Sequence, residues 1–323
     1  MSQETQGGDG LPEAELQDFA RVFRAFLEWV HDAPSQRQHP VASLLTEHLG
    51  AGRTQSVISS ALPTFDHVNL QVALKAWLSA PARRHITHGL ALPPHYGGIS
   101  LQQLLHGHGL PPLELAAPDL VDLPSGPDQT LGCFRLALIL VNDDRGAYVV
   151  LVRGPSMQEQ ELVVEVAGLA TEHAQAVLRD LAELRDQLNV YRGHLLELRN
   201  GQGGVQLVFA SLPQTEREDV VLPEAVLRRI ERHSIDIAGR REQLRAAGRH
   251  LKRGLLLYGP PGTGKTHTTR YVVQHLPNTT VLLLSGRTLP LVRPVTDRGP
   301  PPPPSSVVRR GLAPVAPARR FAT

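Results

Sequence analysis

The sequence predicts an α+β N-terminal region followed by the beginning of a parallel α/β domain. Short β-rich runs between residues 131 and 212 alternate with turn residues, which is typical of an antiparallel meander. From residue 255 onwards an apolar run, a glycine-rich loop, a helical pattern and a second apolar run follow one another, which is the order of a parallel βαβ unit. Residues 290–323 are rich in proline and arginine, so we expect no buried element there.

The composition is that of a globular protein with a single cysteine. The chain has 323 residues, of which 41% are hydrophobic and 20% are charged, so it has enough material for two domains. Because Cys133 is the only cysteine, no intramolecular disulfide can form, and we expect a free buried thiol in a reducing compartment. No apolar run reaches the roughly 18 residues that span a membrane, and the N-terminus has no signal-peptide pattern. We therefore expect a cytoplasmic protein.

The positive charge is concentrated at the C-terminal end of the sequence. The formal net charge is +2, while residues 287–323 alone contain seven arginines and one acidic residue, Asp297. Residues 1–286 are therefore mildly acidic. A mildly acidic body without a basic, aromatic surface disfavours nucleic acid as a partner, and with it a nucleic-acid-dependent motor.

The N-terminal region, residues 1–130, is predicted to be mostly helical. Apolar residues recur every three or four positions over residues 12–30, and two further helices are predicted at 41–49 and 66–79, the second with Asp66 as its N-cap. Residues 81–130 are rich in turn residues and receive no assignment. Two histidine pairs in this region, His85 with His88 and His106 with His108, have spacings that a metal could use, although surface or core histidines are the alternative.

Residues 131–212 are predicted to form a compact α+β accessory domain. Its strands are expected at 133–141, 147–152, 161–166, 191–198 and 205–210, with a helix over 170–189. No catalytic constellation is recognisable in it. Asp143 and Asp144 lie in a predicted turn, where solvated charge is the default. Residues 213–222 are predicted to be a linker to the next domain.

Residues 259–266 form the most informative motif of the chain. They fulfil the pattern G-x-x-x-x-G-K-[ST] at every fixed position. Residues 255–258 are predicted to be a strand buried on both faces of a parallel sheet, 266–276 a helix, and 281–285 a second parallel strand reached by a right-handed crossover. The motif consists of Gly259, Pro260, Pro261, Gly262, Thr263, Gly264, Lys265 and Thr266.

This order of strand, glycine loop and helix is suited to binding phosphate. Glycines at three positions of the motif allow consecutive N–H groups to turn toward one anion, and the helix N-terminus adds further donors. Lys265 is predicted to reach the β- and γ-phosphates of a nucleoside triphosphate, and the Thr266 hydroxyl to hold Mg²⁺. The alternative is an ordinary Gly/Pro loop between a strand and a helix.

The sequence around the motif, GLLLYGPPGTGKT over residues 254–266, resembles the opening of an AAA-type (AAA+) P-loop ATPase domain. The resemblance covers residues 219–292. It implies an α/β P-loop NTPase fold over 223–289, ATP and Mg²⁺ as cofactors, ATP hydrolysis, and a ring, often a hexamer, that remodels a partner protein chosen by the N-terminal region. Residues 236–239 also resemble the adenine-contacting segment of the family, with Ile237 and Ala238 as candidates, although the distance to the P-loop is shorter than usual.

The sequence departs from this family after Thr266. The family has an apolar strand ending in Asp-Glu, the Walker B motif, whose carboxylates hold Mg²⁺ and activate water, whereas Asp297 is the only acidic residue after Thr266. Sensor residues, an arginine finger and the small helical subdomain are also missing. No catalytic residue can be identified, so the α/β domain is expected to be incomplete and to bind ATP without hydrolysing it.

Residues 290–323 are predicted to be a disordered Pro/Arg-rich tail, which we interpret as an out-of-frame or prematurely ended part of a longer ATPase. The alternative is a genuine tail that serves as a proline-rich ligand for a partner domain.

An alternative function from a different class is that of a non-catalytic adaptor, which binds a partner through residues 1–212 and carries a vestigial P-loop.

Overall fold

The computed structural model describes residues 17–25, 40–50, 56–92, 98–106, 113–155, 161–201, 204–251, 254–284 and 306–309. Its helices are α1 (residues 17–25), α2 (Pro40–Leu49), α3 (His67–Leu78), α4 (Leu101–His106), α5 (Thr171–Gln187), α6 (Glu224–Glu231), α7 (Ile237–Gly239), α8 (Arg241–Ala246) and α9 (Lys265–Gln274). Its strands are β1 (Ile58–Leu62), β2 (Arg84–Ala91), β3 (Glu114–Ala116), β4 (Asp119–Gly126), β5 (Gln129–Asp143), β6 (Gly146–Arg153), β7 (Leu162–Ala167), β8 (Leu195–Gly201), β9 (Gly204–Phe209), β10 (Val281–Leu284) and β11 (Ser306–Arg309).

Seven strands form an antiparallel sheet in the order β1-β7-β6-β5-β2-β3, with β4 also paired to β5. The long strand β5 organises this sheet. One of its edges pairs with β6, while the other pairs with β4 over its first half and with β2 over its second half. The predicted meander of three strands between residues 133 and 166 is confirmed as β5, β6 and β7.

Helices cover both faces of this sheet. Alternate residues of the central strands point to opposite faces, so Ile139 packs toward α3 and α5, whereas Leu138 packs toward α2 and α4. Both faces are therefore buried, which explains the nearly continuous apolar sequence of β5 and β6. The helices predicted at 41–49, 66–79 and 170–189 are confirmed as α2, α3 and α5.

The predicted boundary between residues 130 and 131 does not separate two units. Strand β1 pairs with β7, and β2 pairs with β5, so the region predicted to be mostly helical contributes strands to the same sheet. Strand β2 was not predicted, because it lies in residues 81–130, which are rich in turn residues. Gly89 on β2 is required there, because a Cβ at this position would lie 2.0 Å from the backbone oxygen of Ala117.

A second sheet has the strand order β11-β10-β8-β9. The predicted hairpin is confirmed as β8 and β9, and the predicted strand at 281–285 is confirmed as β10, which is parallel to both β8 and β11. Strand β11 lies within the tail predicted to be disordered, so that prediction is wrong for its four residues, whose paired valines favour an extended conformation. The rest of residues 285–323 lies outside the described residues.

A third apolar cluster connects the two sheets and contains Cys133. The predicted free buried thiol is confirmed. Burial, together with the nearby Asp122 carboxylate, raises the pKa of the Cys133 thiol to about 12, so the thiol stays protonated near neutral pH. In the part of the chain that the structure describes, no helix combines the length and the apolar character needed to cross a bilayer.

The side chain of Asp143, at the turn between β5 and β6, is buried, contrary to the prediction of a solvated charge. It is 2% exposed. It accepts hydrogen bonds from the Arg83 Nε at 3.0 Å, the Tyr148 hydroxyl at 2.7 Å and the Arg145 N–H at 3.0 Å. The Arg83 guanidinium also lies 3.8 Å from the centroid of the Trp77 ring. The contact with Arg83 could not be predicted from local sequence patterns, because Arg83 lies 60 residues before Asp143.

Candidate nucleotide-binding site

The glycine loop of the motif ends in a left-handed conformation that leads directly into α9. Gly262 has a φ of +79° and Gly264, the N-cap of the helix, a φ of +77°. Residues with a Cβ rarely adopt these angles, so the loop depends on glycine at both positions. The predicted glycine loop and the predicted helix at 266–276 are both confirmed.

The N-terminus of α9 presents backbone N–H groups at the end of this loop, and no described residue accepts a hydrogen bond from those of residues 265–267. The first hydrogen bond of the helix runs from the Thr268 N–H to the Gly264 oxygen at 2.8 Å, so the N–H groups of residues 265–267 precede it. Residues 260–264 and Thr266 are exposed to solvent. An anion can therefore reach the helix N-terminus from solvent, where the helix dipole favours negative charge.

The Lys265 ammonium folds back onto the loop. Its Nζ lies 2.9 Å from the Gly259 oxygen and 3.2 Å from the Thr263 hydroxyl, and it also donates to the Pro260 oxygen. The Thr263 hydroxyl in turn donates to the Pro260 oxygen at 2.9 Å. The contact between Thr263 and Lys265 could not be predicted from the motif, because the motif allows any residue at position 263.

Thr266 is suited to the predicted role of magnesium ligand. Among the residues that the structure describes, none forms a hydrogen bond with its exposed hydroxyl, whereas the hydroxyls of Thr268 and Thr269 bond to backbone oxygens one turn earlier. Mg²⁺ prefers oxygen ligands and retains several waters, so a single hydroxyl beside a bound triphosphate is an adequate protein ligand. Elsewhere in the described part of the chain, no group of three or more His, Cys, Asp or Glu side chains is placed to hold a metal ion.

The strand predicted before the loop is wrong. Residues 254–259 form no strand, and Leu256 and Tyr258 are 88% and 96% exposed. The predicted neighbour, β10, has β8 on one edge and β11 on the other, so neither of its edges is open to residues 255–258. The predicted βαβ crossover is consequently not formed. The side chain of Leu257 nevertheless packs against an apolar cluster that lies between α6 and α9.

The segment predicted to contact adenine lies at the opposite end of α9. A Cβ on Gly239 would lie 3.9 Å from the Pro277 side chain, and the Arg241 guanidinium donates to the Thr279 hydroxyl at 2.7 Å. Helix α9 has ten residues, which corresponds to a length of about 15 Å. The structure therefore does not bring Ile237 and Ala238 to the loop.

Helix α9 is anchored by its second half. Tyr271 is 4% exposed, packs against α6, and its hydroxyl donates to the Glu231 carboxylate at 2.7 Å. Burial and this hydrogen bond raise the pKa of Tyr271 to about 12. The Arg217 guanidinium also donates to Glu231, at 2.9 Å. The N-terminus of the helix therefore remains available to a ligand while its other end is fixed.

The predicted linker at 213–222 also packs on α9. The Gln274 amide group donates to the Pro213 oxygen at 2.8 Å, and its oxygen accepts the N–H of Thr215 at 2.9 Å. Thr215 is 1% exposed. Part of the predicted linker is therefore a packed segment between β9 and α6 that contacts the helix behind the loop.

Replacement of Tyr271 by phenylalanine is expected to lower the free energy of unfolding by about 1–2 kcal/mol, because the Glu231 carboxylate loses a donor without any change in apolar packing. Urea unfolding followed by circular dichroism measures the shift of the midpoint. Tyr258→Phe is the matched control, since the Tyr258 side chain is 96% exposed, and its midpoint is expected to equal that of the wild type. Equal midpoints for both variants would contradict the anchoring role.

Comparison of the chain with protein-family models and with curated proteins found no match in either case. The resemblance to AAA-type ATPases therefore remains a prediction from residues 254–266.

Proposed function

We propose that residues 259–266 bind the phosphate groups of a nucleoside triphosphate, with ATP as the nucleotide. The observation that supports this most strongly is the local conformation of the loop. Gly262 and Gly264 are both left-handed, and they place the exposed N-terminus of α9 directly after the loop with Lys265 as its first residue. An ordinary connection has no need of two left-handed glycines followed by a lysine at a helix N-terminus.

Each group of the site has a distinct role in this proposal. The N–H groups of residues 265–267 donate to phosphate oxygens, and the Lys265 ammonium neutralises negative charge on the β- and γ-phosphates. Mg²⁺, bound between the phosphates and the Thr266 hydroxyl, offsets the remaining charge. The proposal is confined to binding. We propose neither turnover nor the ring-driven remodelling that the resemblance implies.

The proposal is tested by titrating the full chain with Mg-ATP in a calorimeter. We expect one saturable site per chain. Because the contacts are made to phosphate groups, inorganic triphosphate should compete with ATP, whereas AMP should not. Absence of heat or saturation at millimolar Mg-ATP would contradict the proposal.

One observation favours a second candidate, the non-catalytic adaptor with a vestigial P-loop. Leu256 and Tyr258 precede the loop as an exposed, unpaired apolar segment, and a nucleotide site normally has a firmly paired strand at this point. Failure of the wild-type titration would therefore support the adaptor.

Replacement of Thr266 by valine is expected to remove the effect of magnesium on binding. In the wild type, Mg²⁺ should raise the affinity for ATP about tenfold, because it offsets phosphate charge at a position where the hydroxyl is a ligand. With Thr266→Val the affinities measured in Mg²⁺ and in EDTA should be nearly equal. Thr269→Val is the control, since its hydroxyl bonds to the Lys265 oxygen at 2.9 Å and does not face the loop. A magnesium effect of normal size in Thr266→Val would contradict the assignment.

A further inference from the structure

The ammonium of Lys265 is fully occupied by the loop that precedes it. It has three N–H donors, and the structure gives it three acceptors, namely the Gly259 oxygen, the Pro260 oxygen and the Thr263 hydroxyl. At least one of these contacts must break before the ammonium can donate to a phosphate. Nucleotide binding and this arrangement of Lys265 are therefore in competition.

Thr263 holds this arrangement together from two sides. Its hydroxyl accepts from the Lys265 Nζ at 3.2 Å and donates to the Pro260 oxygen at 2.9 Å, so it bridges the lysine and one of the lysine's other acceptors. Among the three acceptors it is the only side chain. It is therefore the only one whose contribution can be removed by substitution without altering the backbone.

We propose that Thr263 is a positioning residue that holds Lys265 in a closed conformation and lowers the affinity of the loop for nucleotide. This inference rests on the proposed function, since it concerns the lysine that contacts the phosphates. In the closed conformation the ammonium donates to the Gly259 and Pro260 oxygens and to the Thr263 hydroxyl instead of to the ligand. The measured dissociation constant is then the intrinsic one divided by the fraction of molecules in the open conformation.

The substitution Thr263→Val keeps the shape of the side chain and removes the hydroxyl. Loss of one hydrogen bond of ordinary strength should shift the closed conformation toward the open one by about three- to tenfold, and the affinity for Mg-ATP should rise by the same factor. Thr263→Ser retains the hydroxyl and should bind like the wild type. Thr269→Val removes a hydroxyl from the same helix that does not contact the ammonium, and it should also bind like the wild type. Weaker or unchanged binding by Thr263→Val would overturn the proposal.

A second comparison shows whether the effect passes through the lysine. In a Lys265→Ala chain there is no ammonium to release, so adding Thr263→Val should leave the weak remaining affinity unchanged. A gain of the same size in both backgrounds would overturn the proposal, because it would mean that Thr263 acts on the loop independently of Lys265.

A third measurement needs no nucleotide. The chain contains three lysines, so acetylation by a dilute amine reagent can be followed at each of them by mass spectrometry of peptides. Lys265 should be acetylated about three- to tenfold faster in Thr263→Val than in the wild type, while the exposed Lys75 should react at the same rate in both. Equal rates at Lys265 would overturn the proposal. Faster labelling combined with no nucleotide binding by any protein would support the closed conformation and contradict the proposed function.

Discussion

Replacement of Lys265 by alanine is expected to lower the affinity for Mg-ATP about 100-fold. The proposed site has two kinds of phosphate contact, the backbone donors of the loop and the helix N-terminus, and the Lys265 ammonium. Only the ammonium carries a full charge. A charge-assisted hydrogen bond to phosphate contributes about 1.5–3 kcal/mol, which corresponds to about ten- to 150-fold in affinity, and the ammonium makes more than one.

Titration calorimetry of Lys265→Ala beside Lys75→Ala measures this effect. Lys75 lies exposed in the last turn of α3, so its loss changes the net charge equally without touching the loop. Both variants should unfold at the same temperature as the wild type, because all three described acceptors of the Lys265 ammonium belong to residues 259–263. Equal loss of affinity in both variants would indicate a general charge effect, and no loss in Lys265→Ala would place the nucleotide elsewhere.

Local sequence patterns were sufficient to predict the elements that neighbouring residues determine. In α5, Val177 and Leu181 lie four residues apart and are both buried, so the helical period is visible in the sequence. The strands β5 and β6 are separated by a short polar turn with Gly146, at a φ of +107°, and their pairing needs no distant partner. Elements of this kind are specified by period and turn residues alone.

Long-range pairing was not visible in the sequence. Strand β1 pairs Ile58 with Val166, and β2 pairs Arg84 with Asn142, and no local pattern records these partners. Residues 255–258 show the converse case, since their apolar sequence favours a strand but β10 offers them no free edge. Strand propensity measures how well a side chain packs against neighbouring strands. It does not indicate whether those strands are present.

The sequence predicted which residues form the candidate site, but not the conformation that Lys265 adopts in it. The fixed positions of the motif identify the loop, Lys265 and Thr266, because phosphate binding requires those residue types at that spacing. The closed position of Lys265 depends on Thr263 at a position where the motif accepts any residue. A pattern defined by ligand contacts therefore contains no information about contacts that exist only without the ligand.

Asp143→Ala is expected to lower the free energy of unfolding by about 3–5 kcal/mol, the largest effect on stability that we predict. The Arg83 side chain is 11% exposed and would remain largely buried without its carboxylate partner, and the Tyr148 hydroxyl would lose its acceptor. Urea unfolding measures the change. The neighbouring Asp144 is exposed, so Asp144→Ala is the matched control and should shift the midpoint little. A small effect of Asp143→Ala would mean that Arg83 finds solvent when its partner is removed.

The same carboxylate gives the protein a specific dependence on pH. Burial by itself would raise the pKa of Asp143, but the hydrogen bonds from Tyr148, from the Arg145 N–H and from Arg83 outweigh it and hold the pKa below its ordinary value. Since the folded pKa is the lower one, the stabilisation is complete above the unfolded pKa of about 4 and is lost as the pH falls through the folded value. Asp143→Asn cannot titrate, so the stability difference between wild type and this variant should be constant from pH 7 to about 5 and should shrink below about 4. A difference that stays constant down to pH 2 would show that the carboxylate is not the titrating group.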